Sequence, residues 1–397
     1  MKRIVLLLML FTLAAPAWGS KKVTVGQLED LLRSLQQAKK SDAEIATQLK
    51  QLELTEELTR GTMNSLVNSA SGPLSTEQIY VLEARSADLV PPAADLPADA
   101  APDAAAQQAM LAKTEAYITK TYNQLPRLTA TKTTLRFQDN MEAVAANSGI
   151  AGGAQGAVNS FGLADTASFL HFMNSAQAAV AFENGAEKAP AQKDKTPWGA
   201  NKMIALKEPD PSLGIVFPQA VASGSIRWLR WELVNGRQVA VFSFAVSPKT
   251  AELALDICCF PNIVQTGIAR FYTGMTAAVI AGDEAAPGGG GGVAGNMQST
   301  TSWSDHRVNV PYHGEFFIDP ETGIVMRMIT EAELNPSDVI HQVDTRIDYG
   351  PIKVGAKVLV APVRTIINTL VVPKGDSGAG SYSTRRTLFI AEYRDYR

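Results

Sequence analysis

The stretch Ser225-Ile-Arg-Trp-Leu-Arg-Trp-Glu-Leu-Val234, Asn235-Gly236, Arg237-Gln-Val-Ala-Val-Phe-Ser-Phe-Ala-Val246 decides the fold class. It holds two alternating runs rich in β-branched and aromatic residues. They are joined by a dipeptide that accepts the positive φ angles of a type I′ turn, which predicts a β-hairpin. A second hairpin is expected at Gly314 to Ile318 and Ile324 to Ile329, across Asp319-Pro320-Glu321-Thr322-Gly323. There Pro320 presets the turn and Gly323 takes the left-handed position. Period-two runs continue at Val339 to Tyr349, Ala356 to Val372 and Arg386 to Tyr396. Upstream, Thr129 to Phe137 is a strand, and Phe169 to Met173 with Ala178 to Phe182 form a weaker pair. Short turns separate these runs, so the sheet is expected to be antiparallel.

Before Pro126 the period is 3.6 instead. Leu28, Leu31, Leu32 and Leu35 fall on one helical face, and Ile45, Leu49 and Leu52 come after the capping box Ser41-x-x-Glu44. Ser75-x-x-Gln78 is expected to start another helix around Ile79 and Leu82. Helices this short need a surface to pack on. Residues 20–90 therefore form a small helical module, and the Ala/Pro-rich 91–102 is a linker, having almost no large apolar side chain. A longer helix runs from about Asp103 to Gln124, with Met110, Thr114, Tyr117 and Thr121 on one stripe. The fold class is thus α+β, with a sheet domain over 103–397 interrupted by Ala/Gly-rich inserts at 140–155 and 283–296.

Lys2 and Arg3, the apolar Ile4 to Ala15, and Ala17-Trp18-Gly19 make the three-part pattern of a cleavable signal peptide over residues 1–19. The expected location is periplasmic or secreted. No later stretch approaches the roughly 20 apolar residues of a membrane-spanning helix. Without Lys2 and Arg3 the chain has 34 basic against 39 acidic residues, a net charge of −5, which does not attract nucleic acid. The adjacent Cys258 and Cys259 bridge to each other only through a strained ring, and they read first as two small buried apolar side chains, with a vicinal or intermolecular disulfide as the alternative.

Motifs for catalysis are weak. Gly375-Asp376-Ser377-Gly378 matches the serine segment of trypsin-like proteases, but no matching histidine segment accompanies it among His171, His306, His313 and His341. A hairpin loop favours the same residues. Gly290-x-Gly292-x-x-Gly295 lacks the helix that would place a pyrophosphate. Asp305-His306 and His313-Gly314-Glu315 follow no defined zinc spacing. No enzyme activity, cofactor or metal is expected.

Strand alternation carries the functional expectation. Leu229, Trp231 and Leu233 should share one face, opposite Trp228 and Arg230. Ile324, Met326 and Met328 should share one face, opposite Arg327 and Glu331. Val343, Thr345, Ile347 and Tyr349 should face inward, with Gln342, Asp344, Arg346 and Asp348 in water. An apolar face covered incompletely by helices leaves a groove, and its candidate ligand-binding residues are Leu229, Trp231, Met326, Met328, Val343 and Ile347. Taken one at a time, each reads first as a core residue, and the groove is an expectation for the set.

The segments Tyr312 to Arg327, Ile347-Asp-Tyr-Gly-Pro-Ile352 and Ala361-Pro-Val-Arg364, the helix entering the first strand over Asp103 to Phe137, and Arg230-Trp231-Glu232 carry a resemblance. The chain resembles exported bacterial proteins of unassigned function and, more distantly, the outer-membrane lipoprotein carrier (LolA-like) family. The resemblance implies an incompletely closed antiparallel barrel, lidded by helices, that holds acyl chains or a lipidated partner. The alternative from the residues alone is a protein-interaction module with a filled core, meeting a periplasmic partner through its N-terminal helices.

Overall fold

The computed structural model describes residues 21–138, 170–188, 205–207, 212–251, 254–263, 269–270, 279–280, 301–335, 340–371 and 385–397. The expected signal peptide at 1–19, both inserts, Gly290 to Gly295 and Ser377 lie outside the described residues, as do the side chains of Cys258 and Cys259. Among the described residues the chain is α+β. Six helices accompany a ten-stranded antiparallel sheet that does not close into a barrel.

The N-terminal module comprises β1 (Lys21–Val23), α1 (Val25–Gln37), α2 (Asp42–Lys50), β2 (Leu52–Leu54), α3 (Arg60–Asn68) and α4 (Pro73–Arg85). Leu28, Leu32, Ile45, Leu49, Leu58, Ile79 and Leu82 form its own core. Ser41 and Glu44 make the expected reciprocal cap of α2. Ser75 does not start α4, which begins two residues earlier at Pro73. Its free amides at Leu74 and Ser75 instead donate to the Asp42 carboxylate at 2.9 Å each, so the first residue of α2 caps α4. The parallel pair β1–β2 is too short to show as a period in the sequence.

After residues 91–102 comes α5 (Ala104–Lys120), started by Asp103 accepting from the Ala106 amide. The large sheet comprises β3 (Leu128–Gln138), β4 (His171–Glu183), β5 (Ala186–Lys188), β7 (Arg227–Val234), β8 (Arg237–Val246), β13 (Tyr312–Ile318), β14 (Val325–Ala332), β15 (Ile340–Val354), β16 (Lys357–Val371) and β17 (Arg385–Arg394). Their spatial order is β5-β4-β3-β17-β16-β15-β14-β13-β8-β7. The weaker pair expected near residues 169–182 is one continuous strand, β4. The remaining short strands lie in smaller sheets: β6 (Ala205–Lys207), β9 (Ala254–Ile263), β10 (Ala269–Arg270), β11 (Val279–Ile280) and β12 (Thr301–Asn309). Helix α6 (Leu213–Ala222) precedes β7.

Both faces of the large sheet are covered. On the front, α5 and α6 pack against β8, β13, β14 and β15: Met110, Ile118, Val216 and Phe217 meet Phe242, Phe244, Phe316, Met328, Ile347 and Tyr349. Phe244 stacks on Phe316 at 4.2 Å between ring centroids. On the back, Val81, Ala84 and Ala87 of the N-terminal module pack on Phe137, Ile366, Leu388 and Ile390. Sheets with two covered faces lose the in/out polarity contrast that an exposed face displays.

The two sequence-predicted turns are tied together. Asp319 Oδ1 accepts from the amides of Glu321 and Thr322, while Oδ2 pairs with Arg237 at 2.7 Å beside the Asn235-Gly236 turn. Lys113 of α5 donates to the carbonyls of Pro320 and Glu321. Gly323 and Gly236 both have φ of +75°, but a Cβ at Gly323 would lie 2.6–2.7 Å from α5 atoms at Lys113 and Thr114, whereas Gly236 faces open space. Replacing Gly236 with alanine should therefore cost about 1 kcal/mol, from backbone strain alone. Gly323→Ala should cost more than about 2 kcal/mol, because the turn must also leave the helix. Chemical denaturation of the two variants side by side checks the difference.

Candidate functional site

Two β-bulges decide where the predicted site residues lie. Between β7 and β8 the register shifts at Trp228/Arg230, leaving Leu229 as the extra residue. A bulge puts two residues opposite one and reverses the alternation beyond it. Trp228 and Trp231 consequently share the front face, their rings 4.9 Å apart, and Leu229 is exposed. The expectation that Leu229 and Trp231 lie together, opposite Trp228, is corrected by this bulge. Trp231 also donates its indole N–H to the Ala100 carbonyl at 2.9 Å, and Gln238 donates to Asp99, so 91–102 runs along this end of the sheet.

The second shift, between Phe317 and Ile318, separates Met326 from Met328. Met328 is buried in the front core, while Met326 packs against Val234, Val239, Val241, Phe317 and Ile329 on the back. Their predicted common face is corrected for the same reason. Val343 and Ile347 do lie on the front, Ile347 with Met328 and Tyr349, Val343 with Leu255, Val310 and Ile340. Of the six candidates, Trp231, Met328, Val343 and Ile347 thus belong to the front face.

That face changes character across the sheet. From β7 to β15 it is apolar and filled by α5 and α6. From β15 through β16 and β17 to β3, it carries the buried Thr345, Thr365, Thr369, Thr387, Thr134, Lys132 and Gln138. Lys132 has a partner in Glu187 at 3.1 Å, and Tyr393 donates to the same carboxylate at 2.8 Å. One row is different. Register places Val343 beside Thr369, Thr369 beside Thr387 and Thr387 beside Gln138. Thr369, Thr387 and Gln138 are 2%, 1% and 1% exposed, and Thr369 Oγ1, Thr387 Oγ1 and Gln138 Oε1 have no hydrogen-bond partner among the described residues. Their sequence signal is silent, because threonine in a strand is explained by β-propensity alone.

The back face departs furthest from expectation. Asp344, Arg346 and Asp348 do not face water: they are 9%, 4% and 7% exposed, under the N-terminal module. Arg346 donates to Glu57 at 2.6 Å and to the Ala87 carbonyl at 3.0 Å. Arg327 pairs with Asp348 at 2.8 Å and reaches Glu57 and Glu232 at 3.4 Å. Arg364 holds Glu83 of α4 through two bonds of 2.5 and 2.6 Å. Arg230 makes a matching fork to Glu315 at 3.0 and 2.8 Å, and donates to Glu232. The planar guanidinium suits such two-pronged contacts, and all of these paired cations are arginine, none lysine.

Burial raises the pKa of Asp348, but Arg346, Arg327 and Arg364 outweigh it and hold the carboxyl well below its usual range. Glu232 goes the other way, pushed up to about 7 by burial against the opposing pull of Arg327 and Arg230. No described group of His, Cys, Asp and Glu is arranged to hold a metal ion. His313 lies 3.3 and 3.5 Å from Glu331 and Glu333, all three solvent-accessible. Among the described residues no helix is long and apolar enough to cross a membrane. Comparison with protein-family models, curated proteins and solved structures returned no match.

Removing one partner of a buried pair leaves an uncompensated charge. Glu83→Gln should therefore destabilise the protein by about 3–5 kcal/mol. Pairing it with Arg364→Met should restore most of that loss. Urea denaturation of the single and double variants measures the coupling, and additive losses would contradict it.

Proposed function

We propose that this is an exported, non-catalytic binding protein of the LolA-like type, holding a hydrophobic guest with a hydrogen-bonding head group on the front of its sheet. The observation that supports this reading is the row Val343, Thr369, Thr387 and Gln138. It sets an apolar position beside three buried side-chain oxygens that no described residue pairs. Each unsatisfied buried polar atom costs about 1–3 kcal/mol, and native structures rarely keep several side by side. A guest that supplies hydroxyl or amide groups recovers that cost, and its acyl part adds about 0.8 kcal/mol per buried methylene. The guest class is an acyl chain, a lipid or a lipidated protein. The apolar half of the face, with Trp231, Met328 and Ile347, lies beneath α5 and α6, which act as the lid. Helix α6 suits that role because Leu213 to Ala222 contains no charged residue and makes its contacts through apolar side chains and one bond from Tyr312 to Gln219.

Delipidated protein should take up a fluorescent fatty acid or monoacylglycerol. Thr369→Val combined with Thr387→Val should weaken uptake at least tenfold, without lowering thermal stability, since these substitutions keep shape and remove the unpaired hydroxyls. Uptake unaffected by the double substitution removes the assignment.

A second reading, a protein-interaction module with a filled core, is favoured by the close packing of α5 and α6 on β8, β13 and β14. It predicts no acyl uptake at all. Native mass spectrometry of gently purified protein separates the two readings, by a bound lipid or by a stoichiometric protein partner.

A further inference from the structure

The buried polar row on the front of the sheet has a cation beside it. Strand β3 pairs with β17 without a break from Gln138 to Thr131, so its side chains alternate strictly, and Arg136 lies on the same face as Gln138, Thr134 and Lys132. Leu135 and Phe137, its neighbours in the chain, pack on the back. Register sets Arg136 beside Phe389 and Phe389 beside Ile367, one step along the face from Gln138, Thr387 and Thr369. The Arg136 guanidinium lies 6.0 Å from the centre of the Phe389 ring, and Phe389 and Ile367 are buried together. Two rows therefore run side by side across β16, β17 and β3. One holds Thr369, Thr387 and Gln138, with the oxygens that meet no partner among the described residues. The other is apolar and ends in positive charge.

We propose that these rows hold the head of an N-acylated amino acid, its amide N–H on Gln138 Oε1 and its carboxylate on Arg136, a guest class that rests on the acyl-binding reading above and sharpens it.

Each group narrows the choice. An amide oxygen only accepts, so Gln138 Oε1 requires an N–H or O–H from the guest. A guanidinium only donates and stays charged, so Arg136 calls for an oxygen that carries negative charge. Its five N–H donors in a planar fork suit a carboxylate, and the contacts Arg136 makes with its neighbours do not exhaust them. Burial pulls Arg136 below the ordinary arginine range, and a facing anion offsets that cost. The hydroxyls of Thr369 and Thr387 donate or accept, so they suit the acyl carbonyl. A plain fatty acid supplies the anion without the donor, and a monoacylglycerol supplies the donor without the anion. An amide joined to a carboxylate supplies both. From Thr369 the row leads to Val343 on β15, and the acyl chain follows it toward the apolar half at Ile347 and Met328.

Calorimetric titration of the delipidated full-length protein near neutral pH tests this with three ligands of one chain length: N-dodecanoylglycine, dodecanoate and N-dodecanoylethanolamine. The last keeps the amide and loses the charge. N-Dodecanoylglycine should bind at least about tenfold more tightly than either of the others, the scale of one hydrogen bond to a buried or charged group. Arg136→Gln should remove its advantage over the ethanolamide, and Gln138→Met its advantage over dodecanoate. In each variant the comparator itself should bind as it does to the wild type, which also shows that the variant is folded. Arg136→Lys should keep part of the advantage, because the charge survives without the fork. Equal affinities for the three ligands, an advantage over the ethanolamide that persists in Arg136→Gln, or one over dodecanoate that persists in Gln138→Met overturns this head group while leaving acyl binding in place. Binding of none of the three overturns the acyl-binding reading and this guest with it.

Discussion

Arg327, Arg346 and Arg364 stand on three adjacent strands of one sheet face, and the structure depends on each having a carboxylate within reach. A guanidinium taken out of water without a partner costs several kcal/mol, so the face can be buried only by something that brings negative charge to those positions. Asp348 supplies part of it from within the sheet. Glu57 and Glu83 supply the rest from the helical module, which fixes where that module sits. Pairs of this kind add little net stability compared with apolar contacts, but a misaligned arrangement that separates them leaves a buried charge uncompensated, at a cost of about 3–5 kcal/mol. Apolar contacts of Val81, Ala84 and Ala87 supply the attraction, and the charges select the register.

The sheet consequently acts as a partition. Its back is committed to holding the module, through charges and a narrow apolar strip. Its front is divided between an apolar half, closed by α5 and α6, and a half rich in threonine where oxygens of Gln138, Thr369 and Thr387 meet no partner among the described residues. Because side chains alternate along a strand, residues serving the two tasks are sequence neighbours: Asn368 bonds to Ala84 on the back while Thr369 lies on the front. A substitution on one face therefore changes that face without directly altering the other.

Much of this is legible in the sequence, and the departures share physical causes. The Asn235-Gly236 and Asp319 to Gly323 turns, the Ser41 cap, the helix from Asp103 and the antiparallel sheet all derive from local chemistry. The front-face placement of Val343, Ile347 and Met328 agrees with simple alternation. Leu229 and Met326 escape it because a bulge adds one residue and reverses every side chain beyond it, and no residue type announces a bulge. Asp344, Arg346 and Asp348 mimic a solvated face because polar alternation looks the same whether water or a charged partner lies opposite. The available sign is the use of aspartate and arginine with no lysine, together with Glu83 between Leu82 and Ala84 on an otherwise buried turn of helix. Strand order is a long-range property, and no local pattern encodes it.

That order has a kinetic consequence. β17 comes after every other described strand along the chain, yet it lies between β16 and β3 and hydrogen-bonds to both. As the polypeptide emerges, β3 and β4 can pair as a hairpin, and β13 to β16 can zip into a ribbon. The two halves remain unjoined until residues 385–394 arrive to stitch them. The Glu57 and Glu83 carboxylates likewise wait for partners some 270 to 290 positions downstream. Joining of the two halves is therefore a late step, and a chain halted before residues 385–394 carries two unpaired sheet margins, at β3 and β16, that invite aggregation.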